Sequence, residues 1–141
     1  MGRILCATRG GEQSYRTQDA AISLALERGD ELVFIFVVNV EFLRRTSRAV
    51  RPDTVTAEMD RMGKFLLGIA QERAAEQGVD AKVDLRHGRL RDQIKAAVRQ
   101  ARATAVVLGR PTGTRSFFAL KSLQQFATEL EAETRAEVLI L

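Results

Sequence analysis

Two short stretches concentrate the residues able to hold an anion. Thr8-Arg9-Gly10-Gly11 follows an apolar run near the start of the chain, and Gly109-Arg110-Pro111-Thr112-Gly113 follows another near its end. Glycines let backbone N–H groups approach a phosphate or carboxylate closely, and a helix start adds N–H donors with a positive dipole end. Arg9, Arg110, Arg115 and Lys121 would supply full charges beside them, and a guanidinium forks well onto phosphate. Ser122 with Gln125 matches the capping pattern in which a hydroxyl and an amide close the start of a helix, so a helix is predicted to begin at Ser122. An anion or nucleotide crevice follows if the two stretches are neighbours, with Arg9 and at least one of Arg110, Arg115 and Lys121 pointing into it. The competing reading is plain: turns need glycines, and exposed arginines are mostly solvated.

Other chemistry is sparse. Cys6 lies within an apolar run, where a thiol behaves as a small hydrophobe. His87 is the single histidine, with no second His or Cys nearby, so it reads as a solvated turn residue and not a metal ligand. Glu129 and Glu133 share one helical face and read as a wetted surface, with no second cluster facing them. Met59 and Met62 read as core. Arg44, Arg45, Arg48 and Arg51 form a basic run that reads as a mobile solvated loop before it reads as a phosphate lid or a nucleic-acid contact. No Ser-His-Asp set can form without His87, and nothing marks a nucleophile elbow. Neither a catalytic residue nor a metal ligand is expected.

The elements that must position these residues are legible in the apolar pattern. With 141 residues, 45% of them apolar, the chain has the size and core of one domain spanning 1–141. Twenty-two basic residues against 18 acidic give +4, and all but four of the basic ones are arginine. Anionic partners are allowed by this and not demanded. Trp is absent and Tyr15 is the only tyrosine, which leaves little to stack on bases, so nucleic acid is not expected. No apolar run approaches the ~20 residues of a membrane span, no signal peptide opens the chain, and a lone cysteine suits a reducing compartment; the cytoplasm is the expected location.

Arg3 to Thr8, Glu31 to Val40 and Ala105 to Gly109 are continuous apolar runs, the mark of strands buried on both faces. Asp80 to Arg86 alternates as an edge strand would, and Ala136 to Leu141 closes the chain as a fifth strand. Between them lie four helical patterns. The first is capped by Ser14 and carries Ala21, Leu24 and Ala25 up to a stop at Gly29. The second runs from about Thr56, after a loop over 41–56, with Met59, Met62, Leu66, Ile69 and Ala70 inward, and ends at Gly78. The third follows Gly88 with Leu90, Ile94, Ala97, Val98 and Ala101 inward, and the fourth carries Leu123, Phe126, Ala127 and Leu130. Strict β-α alternation means a parallel sheet with helices on both faces, whose ligands bind beyond the carboxyl ends of the strands where the order reverses.

Ile4-Leu5-Cys6-Ala7-Thr8-Arg9-Gly10-Gly11-Glu12-Gln13-Ser14 resembles the opening of the universal stress protein family, which typically reads strand, Ala-Thr-Asp-Gly-Ser, helix. Glu31 to Val40 is similar to that family's second strand. Gly88 to Ile94 followed by Ala105 to Gly109 resembles its third helix and fourth strand, and Val138 to Leu141 its last strand. The resemblance spans essentially the whole chain. It implies a three-layer α/β sandwich with a five-stranded parallel sheet, doubly wound in the order 3-2-1-4-5. It implies a stress-response or signalling domain that acts by binding a ligand or partner, with ATP or AMP as the ligand and a homodimer formed through the C-terminal strand. Residues 138–141 of that strand contain no Lys or Pro to blunt an edge.

Carried onto this chain, the ligand-binding set is Ala7, Thr8, Arg9, Val37, Leu108, Gly109, Arg110, Gly113, Lys121, Ser122 and Leu123. The family's nucleotide-binding members carry Gly-x2-Gly-x9-Gly-Ser/Thr after the fourth strand. Gly109 matches the first glycine. Counted strictly, Thr112 and Ser122 stand at the other two, with Leu123 in the hydroxyl position; with a one-residue slip, Gly113 is the second and Lys121-Ser122 replaces Gly-Ser. Arg9 stands where the family has an acid, which exchanges a hydrogen-bond acceptor for a donor. These departures speak against ATP held in the usual manner and leave another anion open. Two rival readings are a slow nucleotide-hydrolysing enzyme and a structural dimer with an empty crevice. The first lacks an obvious base or acidic metal ligand between Gly109 and Ser122, and phosphoryl transfer generally uses both.

Overall fold

The computed structural model describes residues 2–9, 12–39, 52–111 and 116–141. Along the chain run β1 (Arg3–Ala7), α1 (Glu12–Arg28), β2 (Glu31–Val38), α2 (Pro52–Glu76), β3 (Lys82–His87), α3 (Leu90–Ala101), β4 (Ala105–Leu108), α4 (Ser116–Thr134) and β5 (Glu137–Ile140). The five strands form one sheet in the order β3-β2-β1-β4-β5, parallel throughout. This is the doubly wound α/β sandwich that the sequence predicts.

Successive residues of a strand point to opposite faces, and here both faces are covered. Ile4, Cys6, Phe34, Phe36 and Val107 face α1 and α2, where Ile22, Leu67 and Ala70 complete one core. Leu5, Ile35, Val106 and Leu108 face α3 and α4, where Ile94, Val98, Phe126 and Leu130 complete the other. Two cores on one sheet explain the unbroken apolar runs of β1, β2 and β4. β3 lies at an edge, as expected from its alternation, and leaves Val83 exposed.

Three helix starts differ from the sequence reading. α1 begins at Glu12, so Ser14 lies in its first turn and does not cap it. α2 begins at Pro52 and takes up residues 52–56, which the sequence pattern assigns to a loop. Proline suits a first turn, because its fixed φ is helical and its missing N–H would have no partner there. The remainder of that loop reading, with Arg44, Arg45, Arg48 and Arg51, lies outside the described residues. α4 begins at Ser116, six residues before Ser122. On α2, Met59 and Leu66 pack at the core as expected, but Met62 is 53% exposed. Gly63 takes the inward place and brings the helix backbone against the sheet. The stops at Gly29 and Gly78 hold, with φ of 67° and 85°, a conformation that favours glycine.

Candidate functional site

The order in which strands are added to the sheet reverses between β1 and β4. Their register pairs Cys6 with Val107, so Ala7 and Leu108 end level with one another. Each ladder continues just past the strand: Thr8 N donates to the Ile35 carbonyl at 2.9 Å, and Arg110 N donates to the Leu141 carbonyl at 2.9 Å. From β1 the chain passes to α1 on one face, and from β4 to α4 on the other. The helices that follow these adjacent strand ends therefore pack on opposite faces of the sheet, which is the geometry that opens a crevice in such sheets.

The predicted site residues divide between the faces. Ala7, Val37 and Leu108 pack toward α3 and α4. Thr8 turns to α1, where it is buried and accepts a hydrogen bond from Gln18. Gly109 lies against α1 as well: a Cβ placed on it would sit 3.1 Å from Thr17 Oγ1. Arg9, Arg110 and Lys121 are exposed. Gly113 and Arg115 lie outside the described residues.

Ser122 and Leu123 have structural partners. Because α4 starts at Ser116, Ser122 cannot cap it, and the positive helix end placed there by the sequence reading is displaced upstream. Ala119, Leu120 and Lys121 all favour helix, so the turn continues through them and overrides the local capping pattern. The Ser122 hydroxyl instead accepts from the Arg91 guanidinium of α3, which also lies 5.4 Å over the Phe126 ring. Leu123 packs at the α3/α4 core.

Polar residues elsewhere also find partners that their spacing did not reveal. His87 is not simply solvated: its Nε2 lies 2.5 Å from Asp60 Oδ1 of α2. Glu129 and Glu133 face a basic pair, with Lys95 Nζ 3.6 Å from Glu129 and 3.3 Å from Glu133, and Arg99 3.4 Å from Glu133. Burial pushes the Cys6 thiol up to about 12, in keeping with its reading as a small hydrophobe. Gln18 and Arg73 were not singled out from the sequence, although Gln18 stands on the same helical face as Ala21 and Ile22, where a polar side chain is out of place. Among the described residues, no three His, Cys, Asp or Glu side chains gather where they could hold a metal ion, and no helix is long and apolar enough to cross a membrane.

The sequence matches the Universal stress protein family over residues 1–139. Solved structures agree in fold. A protein of that family from Burkholderia pseudomallei is 23% identical with a TM-score of 0.75, over 99% of this chain and 95% of that one. A universal stress protein in complex with cAMP is 19% identical with a TM-score of 0.72, over 99% and 96% of the two chains. The universal stress protein from Archaeoglobus fulgidus in complex with dAMP is 16% identical with a TM-score of 0.65, over 99% and 97%. No curated protein matches the sequence.

Proposed function

Because the chain belongs to the universal stress protein family, we propose that it is a stress-response or signalling domain working by ligand binding, without turnover, at the crevice between the ends of β1 and β4. One observation carries this reading: two glycine-bearing stretches start from adjacent strand ends at the point where the sheet order reverses. Relatives of the same fold hold cAMP and dAMP, which makes an adenine nucleotide the ligand class to test first. Arg9 and Lys121 are exposed cations, and in place of a ribose-accepting acid they favour the phosphate end of such a ligand. Binding is favoured over hydrolysis because the two side chains most suited to proton or nucleophile chemistry are engaged elsewhere. Cys6 is buried and His87 is held by Asp60. A cytoplasmic setting suits a single buried thiol.

The test is direct. Gently purified protein should show a raised 260/280 nm absorbance ratio and release an adenine nucleotide on denaturation, and stripped protein should bind AMP in calorimetry. Protein that is free of nucleotide and gives no heat with AMP, ATP or inorganic phosphate would sink the reading.

We further infer that two copies pair along β5. That strand is an edge, bonded to β4 on one side, and an antiparallel pairing about a two-fold axis would satisfy both edges at once. Sedimentation at tens of micromolar checks it, with a dimer as the expected species.

A further inference from the structure

The amino end of the sheet carries charges of both signs, sorted by side. All four helices finish at this end, and each is followed by a residue of positive φ: Gly29 at 67°, Gly78 at 85°, Arg102 at 52° and Arg135 at 65°. Glycine takes that backbone without strain, whereas arginine does not. A cation does suit the negative end of a helix dipole, but any position in the last turn serves that purpose in an ordinary helical backbone. Two arginines where glycine fits better call for a use outside the fold.

The two stand together. Glu137 N donates to the Thr104 carbonyl at 3.0 Å, and Arg135 and Arg102 each lie two residues upstream of one of these partners, so they lead into β5 and β4 side by side. Both are exposed, and neither side chain forms an ion pair with another described residue.

On the other side of β1, between the ends of α1 and α2, lies a cleft of about 290 Å³. Buried Ala25, Leu32 and Val79 floor it, beside Leu26, which is 51% exposed. Asp30 and Asp80 line it as well. Asp30 Oδ1 accepts from Gly2 N at 2.8 Å, and Asp80 is exposed with no ion pair to a described residue. The negative ends of two helix dipoles add to these carboxylates. An apolar floor with carboxylates around it suits a side chain that has a long aliphatic stem and a cationic head, as arginine has.

We propose that this end of the molecule is a self-association face: Arg102 and Arg135 of one copy enter the α1/α2 cleft of a second, whose own two arginines enter the cleft of the first. One acidic and one basic patch on the same face are self-complementary about a two-fold axis that passes between them, so the contact closes on two copies. The occupant is another copy, and not a basic peptide at large, because the chain itself offers beside the cleft the unpaired cations that fit it. The face lies at the opposite end of the strands from the crevice and apart from the outer edge of β5, so it depends on neither the ligand nor the β5 pairing.

Sedimentation velocity on the full chain tests this. Surface charge pairs are screened weakly at about 20 mM salt and strongly at about 0.5 M, so the unmodified chain should form a heavier species in the first than in the second. Pairing along β5 uses backbone hydrogen bonds and stays in place at both. Arg102→Glu with Arg135→Glu makes the face acidic throughout. Asp30→Asn with Asp80→Lys makes it basic, and the asparagine keeps an acceptor for Gly2 N. Either variant alone should lose the heavier species, with association weakened by about a hundredfold, because like charges then meet. An equimolar mixture of the two should regain it to within about tenfold, since every acidic patch again meets a basic one.

Arg102→Gly with Arg135→Gly separates this use from a structural one and carries the test if a charge-reversed variant does not fold. It should lose the heavier species yet unfold at no lower temperature, because glycine relieves the backbone. A chain that sediments alike at both salts, reversed variants that keep the heavier species, or a folded pair whose mixture does not regain it would each overturn the face. A lower unfolding temperature for the double glycine variant would return both arginines to a purely structural role.

Discussion

Gly63 of α2 stands so close to Phe36 of β2 that a methyl group on the glycine would lie 2.8 Å from the ring carbon Cδ1, and 2.7 Å from Leu85 Cδ1. Phe36 is 6% exposed and belongs to the core under α1 and α2. Gly63→Ala sets two effects against each other: a gain in helix propensity of ~1 kcal/mol, and a cost of about 1–3 kcal/mol for overpacking a core. The second is expected to win, with a net loss on thermal or urea unfolding. Gly68, on the same helix, has nothing within 4 Å of a built Cβ. Gly68→Ala should therefore stabilise by roughly 0.5–1 kcal/mol. Equal effects from the two substitutions would show that α2 does not approach the sheet as described.

Cys6 offers a second check on the core. It is fully buried in β1, and burial raises its thiol from 9.0 to about 12, which lowers the reactive thiolate fraction by about a thousandfold. The native protein at pH 8 should be nearly inert to an aromatic disulfide reagent and react stoichiometrically once unfolded in guanidinium. Fast labelling of native protein would place Cys6 outside the core.

The fold was legible because β1, β2 and β4 are apolar on both faces, a pattern that few arrangements other than a covered parallel sheet explain. The crevice was legible only as far as its glycines. Ser122 with Gln125 satisfied a local capping pattern, yet nothing local could show that residues 116–121 were already helical. Helical spacing assigns a face only to within a residue or so, which is why it points Met62 inward while Gly63 is the residue that meets the sheet. The partners of His87 and Glu133 come from other elements. Gln18 and Arg73 lie 55 residues apart, a pairing that only the crossing of α1 and α2 creates. Ser122→Ala, which the sequence reading would have treated as loss of a helix cap, should now cost under about 1 kcal/mol, since only a partly exposed bond from Arg91 is removed.

A pH dependence follows from Glu31. Arg3 Nε lies 2.7 Å from its carboxylate, and that hydrogen bond, followed by the charges of Arg3 and Lys82, holds Glu31 below the usual carboxylate range. A pKa depressed by folding contributes stability that is present above the unfolded value of about 4.3 and lost as pH falls through the folded value. The unmodified chain should be more stable than Glu31→Gln at pH 6, and the difference should shrink below about pH 4 and disappear near pH 2. Both side chains are more than a third exposed, so molar salt should reduce the difference at every pH. A gap that widens on acidification would contradict the pairing.

The edge of β5 is less bare than its composition implied. Glu137 N and Leu141 N donate inward, to the Thr104 and Leu108 carbonyls, so in a parallel ladder the Val138 N–H faces outward. That N–H donates to Glu131 Oε1 of α4 at 3.0 Å. A carboxylate from the neighbouring helix thus occupies one of the groups that a second copy would need, which is how soluble proteins restrain an open edge. Pairing along β5 must displace Glu131 in both copies. Glu131→Ala should therefore tighten the dimer, by roughly ten- to a hundredfold if each displaced bond is worth about 1 kcal/mol. Leu139→Lys is a poorer probe, because Leu139 packs toward the α1/α2 core and a lysine there would disturb folding. Sedimentation velocity across a dilution series reads the effect for the unmodified chain and Glu131→Ala. A dimer constant unchanged by the substitution would put the interface elsewhere, and a chain monomeric at tens of micromolar with or without Glu131 would remove β5 as a pairing edge.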